Sequence, residues 1–131
     1  METDELDNLF VDENEPADKR LIATIIKPFI ISIGRNGVIE FSDKFDDLPA
    51  WKKILVYLVC KKAMLLKEVS KEESAGPKEI CEITNISEGS AKDISRHDIL
   101  KKIVKGEGGK YSIPNYKLKK IKEILVSQGS E

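Results

Sequence analysis

The sequence predicts an α+β fold that is mostly helical, and three observations carry that expectation. Apolar residues recur at helical spacing over most of the chain. Two glycine-rich turns, "GRNG" and "GEGG", are each flanked by short apolar runs, as in a β-hairpin. The chain has 131 residues, 40% hydrophobic and 34% charged, which suits one soluble domain with a core of moderate size.

The elements follow in chain order. Residues 1–15 are acidic, with isolated Leu6, Leu9, Phe10 and Val11, and are expected to form a disordered tail. Its "LDNLFV" is a candidate docking element for a protein partner. Residues 16–47 form an N-terminal helix and a short hairpin. Pro16 suits the first turn of the helix, and Leu21, Ile22, Ile25 and Ile26 supply one apolar stripe. Pro28 ends the helix, because it lacks an amide donor and restricts the residue before it. "FIISI" and "VIEF" are then the two strands around "GRNG".

From residue 48 to residue 126 a second unit is expected. Asp47 and Pro49 mark the start of a helix over 48–68, with Trp51, Ile54, Leu55, Leu58 and Val59 as its buried face. Pro77 opens the next helix, carried by Ile80 and Ile83. In "TNIS", Asn85 sits where a left-handed residue is needed, since asparagine tolerates that conformation best after glycine. Ser87 caps a second helix, Glu88 favours its positive end, and Ala91 and Ile94 pack inward. Strands at 103–105 and 110–113 flank "GEGG". Residues 114–126 close the unit as an amphipathic helix, with Leu118, Ile121, Ile124 and Leu125 inward and four lysines outward. Residues 127–131 form a C-terminal tail.

The net charge of −1 conceals an asymmetry. Residues 1–18 hold eight of the 23 acidic side chains and no basic one. Lys92 to Lys122 carries ten basic residues against Asp93, Asp98 and Glu107, an excess of seven. A cationic end of this kind suits an anionic partner such as nucleic acid, against the plainer reading of a solvated lysine surface.

Helix, turn, helix and hairpin, in that order, make "PKEICEITNISEGSAKDISRHDILKKIVKGEGGKYSIPNY" resemble the winged helix-turn-helix family, in its small archaeal and bacterial DNA-binding form. The resemblance covers roughly residues 48–126. It implies a transcriptional regulator that binds double-stranded DNA, selectively or generally, with the helix at 88–97 in the major groove and the 103–113 wing on the backbone. Lys92 and Arg96, four apart, would share the exposed face, with Arg96 reading a base and Lys92 and Ser90 meeting phosphates. Ser90 and His97 flank that pair, and Ser87 at the start of the helix belongs to the same DNA-binding set. Lys101 and Lys102 add charge nearby, and Lys105 and Lys110 straddle the wing turn. A homodimer is the family's usual form.

One departure bears on this. Where family members repeat apolar residues four and seven positions after Ala91, this chain has Ser95 and Asp98. One helix cannot bury Ile94, Ile99 and Leu100 together, so the second helix should stop or bend near His97–Asp98.

Other functions find less support. There is no placeable carboxylate pair, no nucleophile beside a base and no phosphate-binding loop, so an enzyme is not expected, nor is a cofactor. One histidine and two distant cysteines, Cys60 and Cys81, argue for free buried thiols rather than a metal site. No apolar run reaches membrane-spanning length and the N-terminus is acidic, so a cytoplasmic protein is expected. The rival to DNA binding is a winged-helix module that docks a protein within a larger nucleic-acid-processing complex.

Overall fold

The computed structural model describes residues 16–126, so the expectations for tails 1–15 and 127–131 lie outside the described residues. About half of the chain, roughly 51%, is helical and the strands form two hairpins, which makes the protein α+β and mostly helical.

The first helix, α1 (Lys19–Ile26), begins three residues later than Pro16, because Asp18 rather than proline supplies the cap. The Asp18 carboxylate accepts from the Leu21 amide at 3.0 Å. Ile22, Ile25 and Ile26 are buried on one face, and the helix stops two residues before Pro28. Strands β1 (Ile30–Ile33) and β2 (Ile39–Phe41) then pair antiparallel, with Ile33 opposite Ile39 and Ile30 opposite Phe41. A register shift between Ile30 and Ser32 leaves Ile31 pointing to water. A single turn of helix, α2 (Asp43–Asp46), follows and buries Phe45, whose ring stacks on Phe41 at 3.9 Å. Asp47 closes this turn, and it is Pro49 alone that caps the next helix.

That helix, α3 (Ala50–Leu66), is the centre of the molecule. A single buried face would leave Lys61 and Lys62 in water. Instead every residue from Ile54 to Lys62 is buried, because α1 packs on α3 from one side and α4 and α5 from another. The two lysines are therefore paired (Lys61 with Glu79 at 3.1 Å, Lys62 with Glu73 at 2.6 Å), as burial of a charge requires. Helix α4 (Pro77–Thr84) starts with proline in its first turn and ends at Asn85, which has φ 61°, the left-handed conformation expected of it. Helix α5 (Glu88–Lys92), α6 (Leu100–Ile103), strands β3 (Lys105–Glu107) and β4 (Lys110–Ser112), and α7 (Leu118–Leu125) complete the described chain. Leu118, Ile121 and Leu125 bury the inner face of α7 against the core, where α7 meets α1.

Among the described residues, no helix is long and apolar enough to cross a membrane. Cys60 is a fully buried free thiol, while Cys81 is only partly covered.

Candidate nucleic-acid interface

The turn between α4 and α5 is built by local chemistry. Asn85 reverses the chain in the left-handed region, and its amide still donates to the Cys81 carbonyl at 2.9 Å. Ser87 then caps α5: its hydroxyl accepts from the Ser90 amide at 3.1 Å and lies 3.0 Å from the Ser90 hydroxyl. Ser87 and Ser90 thus hold the helix end together rather than standing as independent contacts. Ala91 and Ile94 are buried, as their spacing predicts.

The regular helix ends at Lys92, five residues short of the 88–97 span expected for it. Residues 93–99 continue as successive turns, in which the Arg96 and His97 amides both donate to the Asp93 carbonyl at 3.0 Å. The cause is the one visible in the sequence. Ile94 and Leu100 both reach the core, and the chain manages this by breaking the helix between them and leaving Ile99 37% exposed. Ser95 and Asp98, the two residues out of pattern, are exposed on that break. Lys92 and Arg96 consequently lie on different local structures, a helix end and a turn, and do not share the face of one regular helix.

His97 has a structural occupation. Its Nδ1 accepts from the amides of Ile99 at 3.2 Å and Leu100 at 3.4 Å, so the imidazole satisfies the start of α6. Its ring stacks on Trp51 with centroids 5.3 Å apart. Ser90 and His97 also line a small cavity of ≈ 160 Å³ with Ala50, Trp51, Ile54 and Asp93. With Nδ1 accepting, the imidazole carries its proton on Nε2, so a DNA contact by His97 is limited to that atom while the ring keeps this seat.

The remaining basic residues divide into two groups. Lys92, Arg96 and Lys102 are exposed, and among the described residues their side chains have no hydrogen-bond or ion-pair partner. Lys101 approaches Asp98 at 3.8 Å. Lys110 is bound at 2.9 Å to Glu72, and that ion pair, together with the Ser74 hydroxyl that bonds the same carboxylate first, holds Glu72 below the usual carboxylate range. Lys110 is thus anchored to the loop before α4, which the sequence did not reveal because Glu72 lies 38 residues away in a stretch that reads only as polar.

The first strand of the hairpin lies two residues later than expected. Ile103 is the last residue of α6, so the strands are 105–107 and 110–112 rather than 103–105 and 110–113. Glu107 faces Lys110 and Lys105 faces Ser112 across the ladder. Gly108 and Gly109 both have positive φ, 60° and 81°, which is what a two-residue hairpin turn of the favoured hand demands. Ala75, just before α4, adds a third element: it exchanges two backbone bonds with Tyr111, at 2.9 and 2.8 Å. The hairpin is therefore stitched to the segment that leads into α4 through Ala75 and through the Glu72–Lys110 ion pair.

Comparison with known proteins returns no match: no family model, no curated protein and no solved structure is similar to this chain.

Proposed function

We propose that the protein binds double-stranded DNA as a winged helix-turn-helix, in the manner of a transcriptional regulator. Helix α5 and the turn after it would enter the major groove, and the β3–β4 hairpin would lie on the phosphate backbone. The observation that carries this reading is the set of exposed cations Lys92, Arg96 and Lys102, unpaired among the described residues, beside a capped helix-turn-helix that buries Ile80, Ala91 and Ile94 in the core. The three-part wing sheet, with Ala75 as its inner edge, adds support, since it gives the hairpin a fixed attitude to α4 and α5.

A five-residue helix presents few side chains to base edges, so the balance shifts from base reading to phosphate contact. Arg96 remains the candidate for a bidentate contact with guanine, delivered from a turn. Lys92, Lys101, Lys102 and Lys105 are assigned to the backbone, and Lys110, neutralised by Glu72, holds the hairpin in place rather than adding net charge.

The test is a salt titration of binding to random-sequence duplex by fluorescence anisotropy. Affinity should fall steeply with salt, with a log–log slope of about −0.9 per phosphate neutralised. Lys92→Ala should reduce that slope by about one, and Arg96→Ala should in addition relax any sequence preference. Absence of binding at low salt, by the full chain and by a version lacking residues 1–15, would remove this reading.

A second reading rests on two exposed apolar side chains in the same unit, Ile83 on α4 at 43% and Ile99 at 37%. These suit a protein partner better than DNA, and favour a docking module within a nucleic-acid-processing complex. Binding that resists salt and is lost in Ile99→Ser would favour it over the first.

A further inference from the structure

The base of the β3–β4 hairpin lines a cavity of ≈ 520 Å³ that is open to solvent, a volume suited to a small-molecule ligand. Its walls come from three separate parts of the chain: Lys62 of α3, Glu73 of the loop before α4, and the stretch from Ser112 to Tyr116 with Lys105 opposite. Lys105 and Ser112 are cross-strand partners, so their side chains stand on one face of the hairpin, toward this space.

Lys62 makes the site chemically distinctive. Its side chain is only 3% exposed, and its ammonium donates to Glu73 Oε1 at 2.6 Å and to Asn115 Oδ1 at 2.5 Å. An ammonium has three N–H donors, and among the described residues these two acceptors are its only partners. The third N–H is left for whatever occupies the cavity. Glu73 offsets one positive charge, while the Lys105 ammonium has no ion-pair partner among the described residues. The lining therefore carries a net positive charge, with the Ser112 hydroxyl as a neutral donor beside it. Pro114 and the Tyr116 ring supply an apolar wall.

We infer that this cavity is a binding site for a small anion, the phosphate or carboxylate group of a small molecule, held by Lys62, Lys105 and Ser112. The buried lysine, fixed by Glu73 and Asn115, presents its charge without losing side-chain freedom on binding, which is the advantage of a preorganised donor. Charge-assisted bonds of this kind are stronger than neutral ones and favour an anion over a neutral ligand. The site lies at the root of the hairpin, so an occupant would tie β3 to α3 without touching α5.

The experiment is an amide chemical-shift titration of the full chain with inorganic phosphate and, separately, with acetate, each against sodium chloride at matched ionic strength and without DNA. Saturable shifts confined to residues 105, 112, 113, 115 and 116 and the neighbourhood of Lys62 are expected. Lys105→Ala and Ser112→Ala should each weaken binding, the lysine change by about tenfold. Lys62→Met should abolish it, and because that variant risks the fold, the two surface variants decide the matter. Shifts spread over all exposed lysines, or binding indifferent to Lys105→Ala and Ser112→Ala, would overturn the inference. A parallel titration with short duplex DNA separates the sources of phosphate: shifts at this cavity with duplex alone, and none with the free anions, would make it part of the DNA face and refute a small-molecule site. The free-anion titrations stand whether or not the chain binds DNA.

Discussion

At the scale of single residues, His97 shows how a polar side chain in a basic segment can be claimed by the fold. The sequence places it beside Arg96 on the helix expected over 88–97, yet its Nδ1 serves two backbone amides and its ring stacks on Trp51. His97→Ala should therefore cost stability, by about 1 kcal/mol as for other lost helix caps, with a change in Trp51 fluorescence on denaturation. An effect on DNA affinity larger than the stability loss explains would restore it to the interface. Asn85 is the opposite case. One residue type in one context, "ITNIS", specified a left-handed turn, because few side chains tolerate φ 61° and asparagine is foremost among them. Ser87 was equally legible, since capping needs only a hydroxyl and the amides that follow it.

At the scale of elements, periodicity located nearly every helix and both hairpins, and misjudged their ends. Helix α5 is short because the core accepts both Ile94 and Leu100, and no uninterrupted helix satisfies both. The out-of-pattern Ser95 and Asp98 signalled the break. Its position after Lys92 depended on how closely α5 packs against α3 and α4. The short α2 and α6 went unseen, since four residues are too few for a period. The β3–β4 hairpin illustrates what links elements far apart in sequence. Glu72 grips Lys110, and its depressed pKa means that this tie is fully formed above the ordinary glutamate range and is lost as pH falls through the lowered value. A carbon-13 titration of Glu72 should show that lowered midpoint, and Lys110→Gln should return it to the usual range. An unchanged midpoint in the variant would mean that the Ser74 bond alone sets it.

At the scale of the molecule, the middle of α3, from Ile54 to Lys62, is enclosed all round, and two of its acids feel that burial. Burial raises the pKa of the Tyr57 hydroxyl above its ordinary value, and its 2.6 Å bond to Glu79 adds to the effect. Burial alone pushes up the Cys60 thiol. Both groups stay protonated in the folded chain while the unfolded chain ionises its thiol at about pH 8.5 and its phenol at about pH 10. Stability is accordingly full below about pH 8 and declines as pH rises from there, by about 1.4 kcal/mol per pH unit for each group once it ionises in the unfolded state. Urea denaturation at a series of alkaline pH values should show this decline, and Cys60→Ala should remove the earlier part of it. In the native chain Cys81, partly exposed, should react with a thiol reagent well before Cys60.

The sequence by itself determined the kinds of element and their order, the left-handed turn at Asn85, the cap at Ser87 and the concentration of positive charge after Lys92. Each of these follows from local rules: side-chain period, backbone sterics, hydrogen-bonding reach of a few residues, and a count of charges. Only the tertiary structure decided which cations are spoken for and which stand free. Lys62 meets Glu73 and Asn115, Lys110 meets Glu72, and His97 meets Trp51 across separations of 11 to 53 residues. Such pairings depend on where the packed core places the chain in space, and no local period encodes that distance.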